Sequence, residues 1–321
     1  MKNETKVARE LHIGRKFNYD KVNSYHAKFI DQETGKFAEK FTERRNCPVC
    51  SSKKFIHIFN ASGGSYVRCK DCTMVFTNPV FTRSSLSLYY QNLNTGQTQI
   101  VDNESDFYRE IYSMGLKFIN KYATTGKILD VGCSGGFFLD VARENSWLTS
   151  GIELNLEESE MCRKRGHIVY TDGIELLDKK EKYDAITLWD VFEHIPDGKI
   201  YLDLLKSHLH EDGTIFMQTP NTDSLAAKIM REKCKMFDGV EHVNLYNPVT
   251  LKLVVESCGL KVVDMRTVIS EIAVLNNYLS YDDPYFGYSN YGAKLMGFID
   301  ERQLHEELCG YKIQAVIRIG S

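Results

Sequence analysis

An apolar strand that runs into a glycine-rich turn limits the fold of this chain more than any other feature of its sequence. In ILDVGCSGGFF, residues 128–138, a strand containing one aspartate is followed at once by three glycines and two other small residues. Six further strand-like segments follow, and helical segments separate most of them. This alternation predicts an α/β fold, with a seven-stranded, mainly parallel, doubly wound sheet.

Composition excludes some classes of function. The 321 residues carry a net charge of -3, whereas general nucleic-acid binders usually have a basic excess. The polar start, MKNETKVARELHIGRK, lacks the apolar segment of a signal peptide, and no apolar run reaches membrane-spanning length. We therefore expect a cytoplasmic protein without a membrane span. The oligomeric state is left open.

Acidic residues come at the ends of three successive predicted strands. They are Asp130, Glu153 and Asp172. Ligands of a parallel sheet bind outside the carboxyl ends of its strands. A carboxylate at Asp130 attracts an amino group, Glu153 can accept both hydroxyls of a ribose, and Asp172 can accept the adenine amino group. Together these acids suit S-adenosylmethionine.

A dinucleotide-dependent dehydrogenase is the structural competitor. Its fingerprint needs a glycine where this chain has Cys133 or Ser134, depending on the register. In addition, the carboxylate of Asp130 repels a pyrophosphate. Both departures count against the dehydrogenase.

The order of the motifs resembles that of the class I S-adenosylmethionine-dependent methyltransferases, over roughly residues 105–321. ILDVGCSGG resembles the first motif of that family, GIELN the second, YDAITLWDVFEHIPD the fourth-strand motif, DGTIFMQTPN the fifth strand and IQAVIRIG the usual terminal antiparallel strand. The resemblance implies a Rossmann-like fold. It also implies that backbone near Gly132 and Trp189 holds the methionine end of the cofactor, with Leu154 and Ile174 against the adenine. The cofactor-binding set is then Asp130, Gly132, Gly135, Glu153, Leu154, Asp172, Gly173 and Trp189.

Four of the nine cysteines form two close pairs. Cys47 and Cys50 are separated by eighteen residues from Cys69 and Cys72, the spacing of a four-thiolate zinc site. The flanking segments read as short strands, which predicts a zinc ribbon. Because four thiolates leave no open position on the ion, we expect the zinc to be structural. A further role of the ribbon in recognising a substrate such as RNA is left open by the neighbouring basic residues.

These observations divide the chain into consecutive segments. We predict an N-terminal extension at 1–45, a zinc ribbon at 46–82 and a methyltransferase domain at 83–321. Within the last, residues 269–311 form a long aromatic segment, which predicts an insertion or lid that shapes the substrate site.

Two histidines are candidates for a general base, with His194 as the first choice and His242 as the second. His194 follows the fourth strand, and His242 lies beyond the fifth. Methyl transfer to a hydroxyl benefits from a base that removes the proton. Asp190 and Glu193 are expected to orient the substrate, or to bind a divalent cation with His194. The alternative for each histidine is a structural hydrogen bond to the backbone.

For the acceptor, the leading interpretation is O-methylation of a sugar or another small molecule or glycan. A zinc ribbon before this type of domain resembles methyltransferases of bacterial surface glycans and natural-product sugars. The alternative is an RNA base methyltransferase that recognises its substrate with the ribbon. The negative net charge of the chain argues against this alternative. A third interpretation is a non-enzymatic zinc-ribbon protein with an inactive cofactor fold, which the intact acids disfavour.

Overall fold

The computed structural model describes residues 24–92, 105–269 and 300–320. The chain divides into two compact units that interleave along the sequence. We call Met1–Gly96, Pro220–Thr250 and Arg266–Ile313 the cysteine unit, and Gln97–Thr219, Leu251–Met265 and Gln314–Ser321 the sheet unit. The consecutive boundaries inferred from the sequence stay a prediction. Most of the aromatic segment predicted at 269–311, and much of the N-terminal extension, lie outside the described residues.

The described strands and helices are short to medium in length. The strands are β1 (Thr42–Glu43), β2 (Phe55–Ala61), β3 (Gly64–Cys69), β4 (Val75–Thr77), β5 (Val80–Phe81), β6 (Lys127–Val131), β7 (Leu148–Ile152), β8 (Ile168–Tyr170), β9 (Tyr183–Trp189), β10 (Leu209–Pro220), β11 (Asn244–Leu245), β12 (Leu260–Val268) and β13 (Lys312–Ile319). The α-helices are α1 (Arg83–Asn92), α2 (Ser105–Ile119), α3 (Phe137–Glu144), α4 (Leu156–Lys164), α5 (Gly198–Ser207), α6 (Leu225–Met230), α7 (Pro248–Glu256) and α8 (Glu301–Glu306). None of the described helices has the length and apolar character of a membrane span.

A seven-stranded sheet forms the centre of the sheet unit. Its order is β12-β13-β10-β9-β6-β7-β8, and β10, β9, β6, β7 and β8 pair in parallel. This confirms the predicted α/β fold with a mostly parallel, seven-stranded sheet. The strand order reverses at β6, because the chain runs outward through β7 and β8 and then returns to β9 on the other side. Such a switch point opens a crevice at the strand ends where ligands bind.

Glycine at position 115 lets helix α2 approach the fourth strand of the parallel sheet. A Cβ atom at Gly115 would lie 2.2 Å from a ring carbon of Trp189. We therefore expect Gly115→Ala to destabilise the protein by about 1–3 kcal/mol, the usual cost of overpacking. Urea unfolding measures this loss, and Met114→Ala on the exposed side of the same helix serves as control. A Gly115→Ala protein as stable as wild type would contradict this packing.

A four-stranded sheet, in the order β11-β4-β3-β2, forms in the cysteine unit. The predicted ribbon strands KKFIHIF, SYVRC and TMVFTNP correspond to β2, β3 and β4. The fourth strand comes from residues 244–245, far along the sequence, and pairs antiparallel with β4. The segment around the paired cysteines is therefore completed by a later part of the chain, which the spacing of the cysteines did not reveal.

Candidate functional site

The glycine turn after β6 has positive φ at two of its three glycines. Gly132 and Gly136 have φ values of 74° and 88°, in the region that favours glycine. A Cβ atom at Gly132 would lie 2.7 Å from Cγ2 of Val191, so no larger residue fits without movement. The amides of Gly132 and Cys133 both donate to the carbonyl of Ile152, at 2.8 and 3.1 Å. The turn is thereby fixed to the end of β7.

Asp130 lies in the central strand and is only 3 % exposed. Its carboxyl accepts a hydrogen bond of 2.6 Å from the hydroxyl of Thr187 on the adjacent strand β9. Burial raises the pKa of Asp130 to about 8, and the negative charge of Glu153 adds to the effect, whereas the Thr187 hydrogen bond opposes it. A buried acid of this kind can compensate the charge of a cationic ligand.

Glu153 follows β7 and accepts two backbone hydrogen bonds. Its carboxylate oxygens receive the amides of Ser134 and Asn155, at 2.9 and 2.8 Å. Burial is the main cause of its raised pKa, and the two amides oppose that shift. The Ser134 hydroxyl in turn donates to Glu158 on α4, at 2.8 Å. Two of the three acids predicted for the cofactor, Asp130 and Glu153, are thus tied to the glycine turn or its strand.

The remaining predicted contacts of the adenosine end differ in exposure. Leu154 is 67 % exposed, whereas Ile174 is fully buried in a short 3₁₀ helix, Ile174–Leu176. Asp172 is exposed, and Gly173 caps that 3₁₀ helix with extended backbone. Of the two apolar residues expected against adenine, only Leu154 therefore presents its side chain at the surface.

Trp189 ends strand β9 inside a cluster of aromatic rings. The ring centroids of Phe216, Tyr112 and Phe138 lie 4.6, 4.9 and 5.0 Å from it. Among the described residues, its buried indole N–H has no hydrogen-bond partner. Tyr112 is a residue of this site that the sequence did not single out for function. Burial raises its pKa far above the usual value, and the charge of Asp130 adds to that effect.

Asp190 is held from the neighbouring strand. It has a left-handed backbone, with φ 55°, and its amide donates to the carbonyl of Gln218 at 3.0 Å. The Gln218 side-chain amide donates back to the Asp190 carboxylate at 3.0 Å, and Gln314 donates to Gln218 at 2.9 Å. Gln218 and Gln314 are both buried. The two glutamine side chains, which are hydrogen-bonded to each other, therefore fix the direction of the Asp190 carboxylate.

His194 and Glu193 belong to a 3₁₀ helix, Phe192–His194, directly after Asp190. Glu193 is fully buried and His194 half-buried. The amide of His194 donates to the carbonyl of Val191 at 3.0 Å. All three residues lie in the sheet unit, as the sequence predicts from their place after the fourth parallel strand.

His242 lies in the cysteine unit and is held by two neighbours. Its Nδ1 donates to the carbonyl of Met236 at 2.8 Å and lies 3.3 Å from a carboxylate oxygen of Asp238. Asp238 itself accepts the amides of Val240, Glu241 and His242, at 2.9–3.1 Å. A carbonyl acceptor requires the proton on Nδ1, so the neutral ring carries its basic lone pair on Nε2.

The four paired cysteines converge. Their sulfur atoms all lie within 4.8 Å of one another, and the pairs Cys47–Cys72 and Cys50–Cys69 are each separated by 3.5 Å. A tetrahedral zinc site with Zn–S bonds of 2.3 Å needs sulfur separations of about 3.8 Å. The two turns also match: in each, the first cysteine donates to the residue five positions on and accepts from the residue four positions on. The arrangement fits a metal ion that is coordinated by four thiolates.

The chain resembles known methyltransferases in sequence and fold. Residues 107–265, just under half of the chain, match the family model Methyltransf_23, a methyltransferase domain. The ubiquinone biosynthesis O-methyltransferase of Histophilus somni is 29 % identical over 121 residues, 33 % of this chain and 51 % of that protein. The protein of the same name from Pasteurella multocida is 28 % identical over 142 residues, 37 % of this chain and 59 % of that protein. The chain thus spans about half the length of the curated relatives it matches.

A solved structure agrees on the fold. The plantazolicin methyltransferase BpumL, in complex with a pentazolic desmethylPZN analog and SAH, has a TM-score of 0.50 and is 15 % identical. The match covers 74 % of this chain and 95 % of that one. Residues 107–265 thus match a methyltransferase domain, and the chain shares its fold with a methyltransferase that was solved with SAH.

Proposed function

We propose that this protein transfers the methyl group of S-adenosylmethionine to a hydroxyl oxygen of a small molecule, with a sugar or glycan as the leading acceptor class. The observation that carries the cofactor assignment is the pair Asp130 and Glu153. Both are acids at the ends of adjacent parallel strands, beside a glycine turn at the switch point of the sheet. The methyltransferase domain match over the same residues supports it.

We assign the parts of this cofactor to residues of the sheet unit. In the proposal, Asp130 accepts the amino group, Glu153 the ribose hydroxyls and Asp172 the adenine amino group, with Leu154 and Gly173 beside the base. The backbone of Gly132 and Gly135, together with that near Trp189, holds the methionine end. The unpartnered indole N–H of Trp189 supports a polar ligand at this place, because a buried donor without an acceptor is costly. When bound, the cofactor supplies a methyl group on a positively charged sulfur.

The chain then has to orient an acceptor oxygen and remove its proton. The sequence ranks His194 first for the base. The hydrogen bonds of His242 favour that residue instead, because the Met236 carbonyl and the nearby Asp238 carboxylate fix the tautomer and the orientation of its ring. We assign His242 as the base, with Asp190 and His194 orienting the acceptor. The Gln218–Gln314 chain supports such a role for Asp190.

We further propose that the four cysteines bind a structural zinc ion. The supporting observations are the matched turns and the short sulfur separations. In this proposal the zinc has no catalytic part, because four thiolates fill its coordination sphere. Elemental analysis of protein purified without chelator is expected to give one zinc per chain, and protein without zinc would reject the assignment.

Labelling of cell extracts tests the acceptor class. The purified protein is incubated with methyl-labelled S-adenosylmethionine and separate pools of glycan precursors and RNA. We expect label in the glycan-precursor or small-molecule pool, stable to conditions that hydrolyse methyl esters. The Asp130→Asn protein is the matched control for labelling by contaminants. Label confined to RNA would replace this proposal with the RNA alternative.

A further inference from the structure

We propose that the four-cysteine site positions His242, and that Tyr66 and Arg45 are the positioning residues that connect the two. The proposal rests on the assignment of His242 as the base. It concerns only the cysteine unit, in which the metal-ligand turns, their sheet and the segment 236–245 all lie.

The second cysteine turn joins two strands of the sheet. Cys69 is the last residue of β3, and β4 begins at Val75, directly after a fully buried Met74. The Cys69 amide donates to the Met74 carbonyl at 2.9 Å. A metal ion bound by Cys69 and Cys72 would therefore fix the connection of β3 to β4.

Strand β4 in turn holds the end of the His242 segment. Leu245 and Asn244 pair with Val75 and Phe76, and the amide of Thr77 donates to the carbonyl of Val243 at 3.0 Å. His242 directly precedes this ladder. The location of His242 in the cysteine unit is consequently fixed by strand β4, to which the residues directly after it are hydrogen-bonded.

Arg45, two residues before the first cysteine, strengthens the same junction. Its guanidinium donates to the carbonyl of Val243 at 2.6 Å and to that of Thr77 at 3.2 Å. It also lies over the ring of Phe76, at 5.3 Å from the centroid. Arg45 thus links the start of the cysteine turn, strand β4 and the residue next to His242.

Tyr66 on β3 holds the other end of the segment. Its fully buried hydroxyl accepts the amide of Gly239 at 2.8 Å. The ring of Phe237 packs against Tyr66 and Phe59, with centroids 5.1 and 4.8 Å apart. Gly239 has φ 90°, and a Cβ atom on the facing Gly64 would lie 2.6 Å from its Cα, so the two backbones touch. Asp238, which contacts His242, stands between these two anchored residues.

Hydrogen–deuterium exchange of the full chain tests this connection without reference to activity. Removing the metal with a chelator, or by Cys69→Ser, should accelerate exchange of amides in residues 236–245. Tyr66→Phe should do the same by about tenfold or more, because it leaves the buried Gly239 amide without its acceptor. Tyr25→Phe is the matched control, since the Tyr25 hydroxyl donates to Leu88 elsewhere in the unit. Unchanged exchange at 236–245 in both the metal-free protein and Tyr66→Phe would overturn the proposal.

Kinetic measurements distinguish this proposal from the assignment of His242 as the base, on which it rests. Tyr66→Phe and Arg45→Lys should lower kcat and displace the acidic limb of the pH profile, with the Kd for S-adenosylmethionine unchanged. A loss of cofactor affinity instead would overturn the positioning role. If His242→Ala keeps full turnover while exchange at 236–245 still follows the metal, the base assignment fails and the structural connection stands.

Discussion

His242→Ala is expected to lower kcat by about 10²- to 10⁴-fold, the usual contribution of a general base. The Met236 carbonyl and Asp238 hold its Nδ1, so the orientation of the ring and its neutral tautomer are fixed. Cofactor affinity should stay within about twofold of wild type, because Asp130 and Glu153, the acids assigned to the cofactor, are unchanged in this variant. The measurement is steady-state turnover beside calorimetric titration with S-adenosylmethionine.

Two further variants show whether the loss is specific. His57→Ala removes an exposed histidine of the same unit that bonds only to Asn60 among the contacts described, and it should keep full turnover. His194→Ala should raise the KM for the acceptor more than it lowers kcat, as expected for an orienting residue. A kcat loss at His194 with full activity at His242 would reverse the two roles.

The pH dependence of turnover needs one precaution at Glu241. Burial, together with the negative charge of Asp238, raises the pKa of this carboxyl to about 7, whereas the charge of His242 opposes the rise. Glu241 therefore titrates in the range expected for a histidine base, and the two apparent values belong to the pair. In a Glu241→Gln background, the acidic limb of kcat should report His242 alone and disappear in His242→Ala.

Much of the sheet unit could be predicted from local sequence patterns. The alternation after residue 127 gave the seven strands, and the turn beginning at Gly132 marked the switch point, because glycine spacing and apolar runs are local properties. The positive φ values of Gly132 and Gly136 agree with the glycines of the same pattern. The four cysteines that converge could also be identified from the sequence, since their spacing is typical of a four-thiolate site.

Contacts between distant parts of the chain were not predictable. Strand β11 contains only two residues, too few to show a period of their own, yet it completes the sheet of the cysteine unit. The hydrogen bonds of Thr187 to Asp130 and of Gln218 to Asp190 could not be predicted for a similar reason, because each of them joins two neighbouring strands. Tyr112 resembled an ordinary apolar position on its helix. The roles of His194 and His242 rest on chemistry that only variants can test.

The second large effect is expected at Asp130. Asp130→Asn should weaken binding of S-adenosylmethionine by about 10- to 150-fold, the value of a hydrogen bond to a charged group. The substitution keeps the shape of the side chain and an oxygen to accept from Thr187, but it removes the negative charge that would meet the amino group. Glu160→Gln, an exposed acid on α4, is the matched control and should bind normally.

Binding of S-adenosylmethionine should also displace the proton of Asp130. In the free protein, burial raises the pKa of Asp130 to about 8, so at pH 6.5 the carboxyl keeps its proton. An α-amino group is already charged at that pH, and its approach favours ionised Asp130. Binding should therefore release close to one proton, seen as an enthalpy that varies with the ionisation heat of the buffer.

The stability of the free protein provides the independent check on the same group. The folded pKa of Asp130 lies above the usual value of 3.8, so the unfolded chain ionises first as the pH rises. This group therefore lowers the free energy of unfolding progressively between about pH 4 and 8. Asp130→Asn removes this effect. The free energy of unfolding of the variant minus that of wild type should therefore be larger at pH 8 than at pH 4. A variant that keeps proton release on binding would place the titrating group elsewhere, and Asp130 would lose its assigned role.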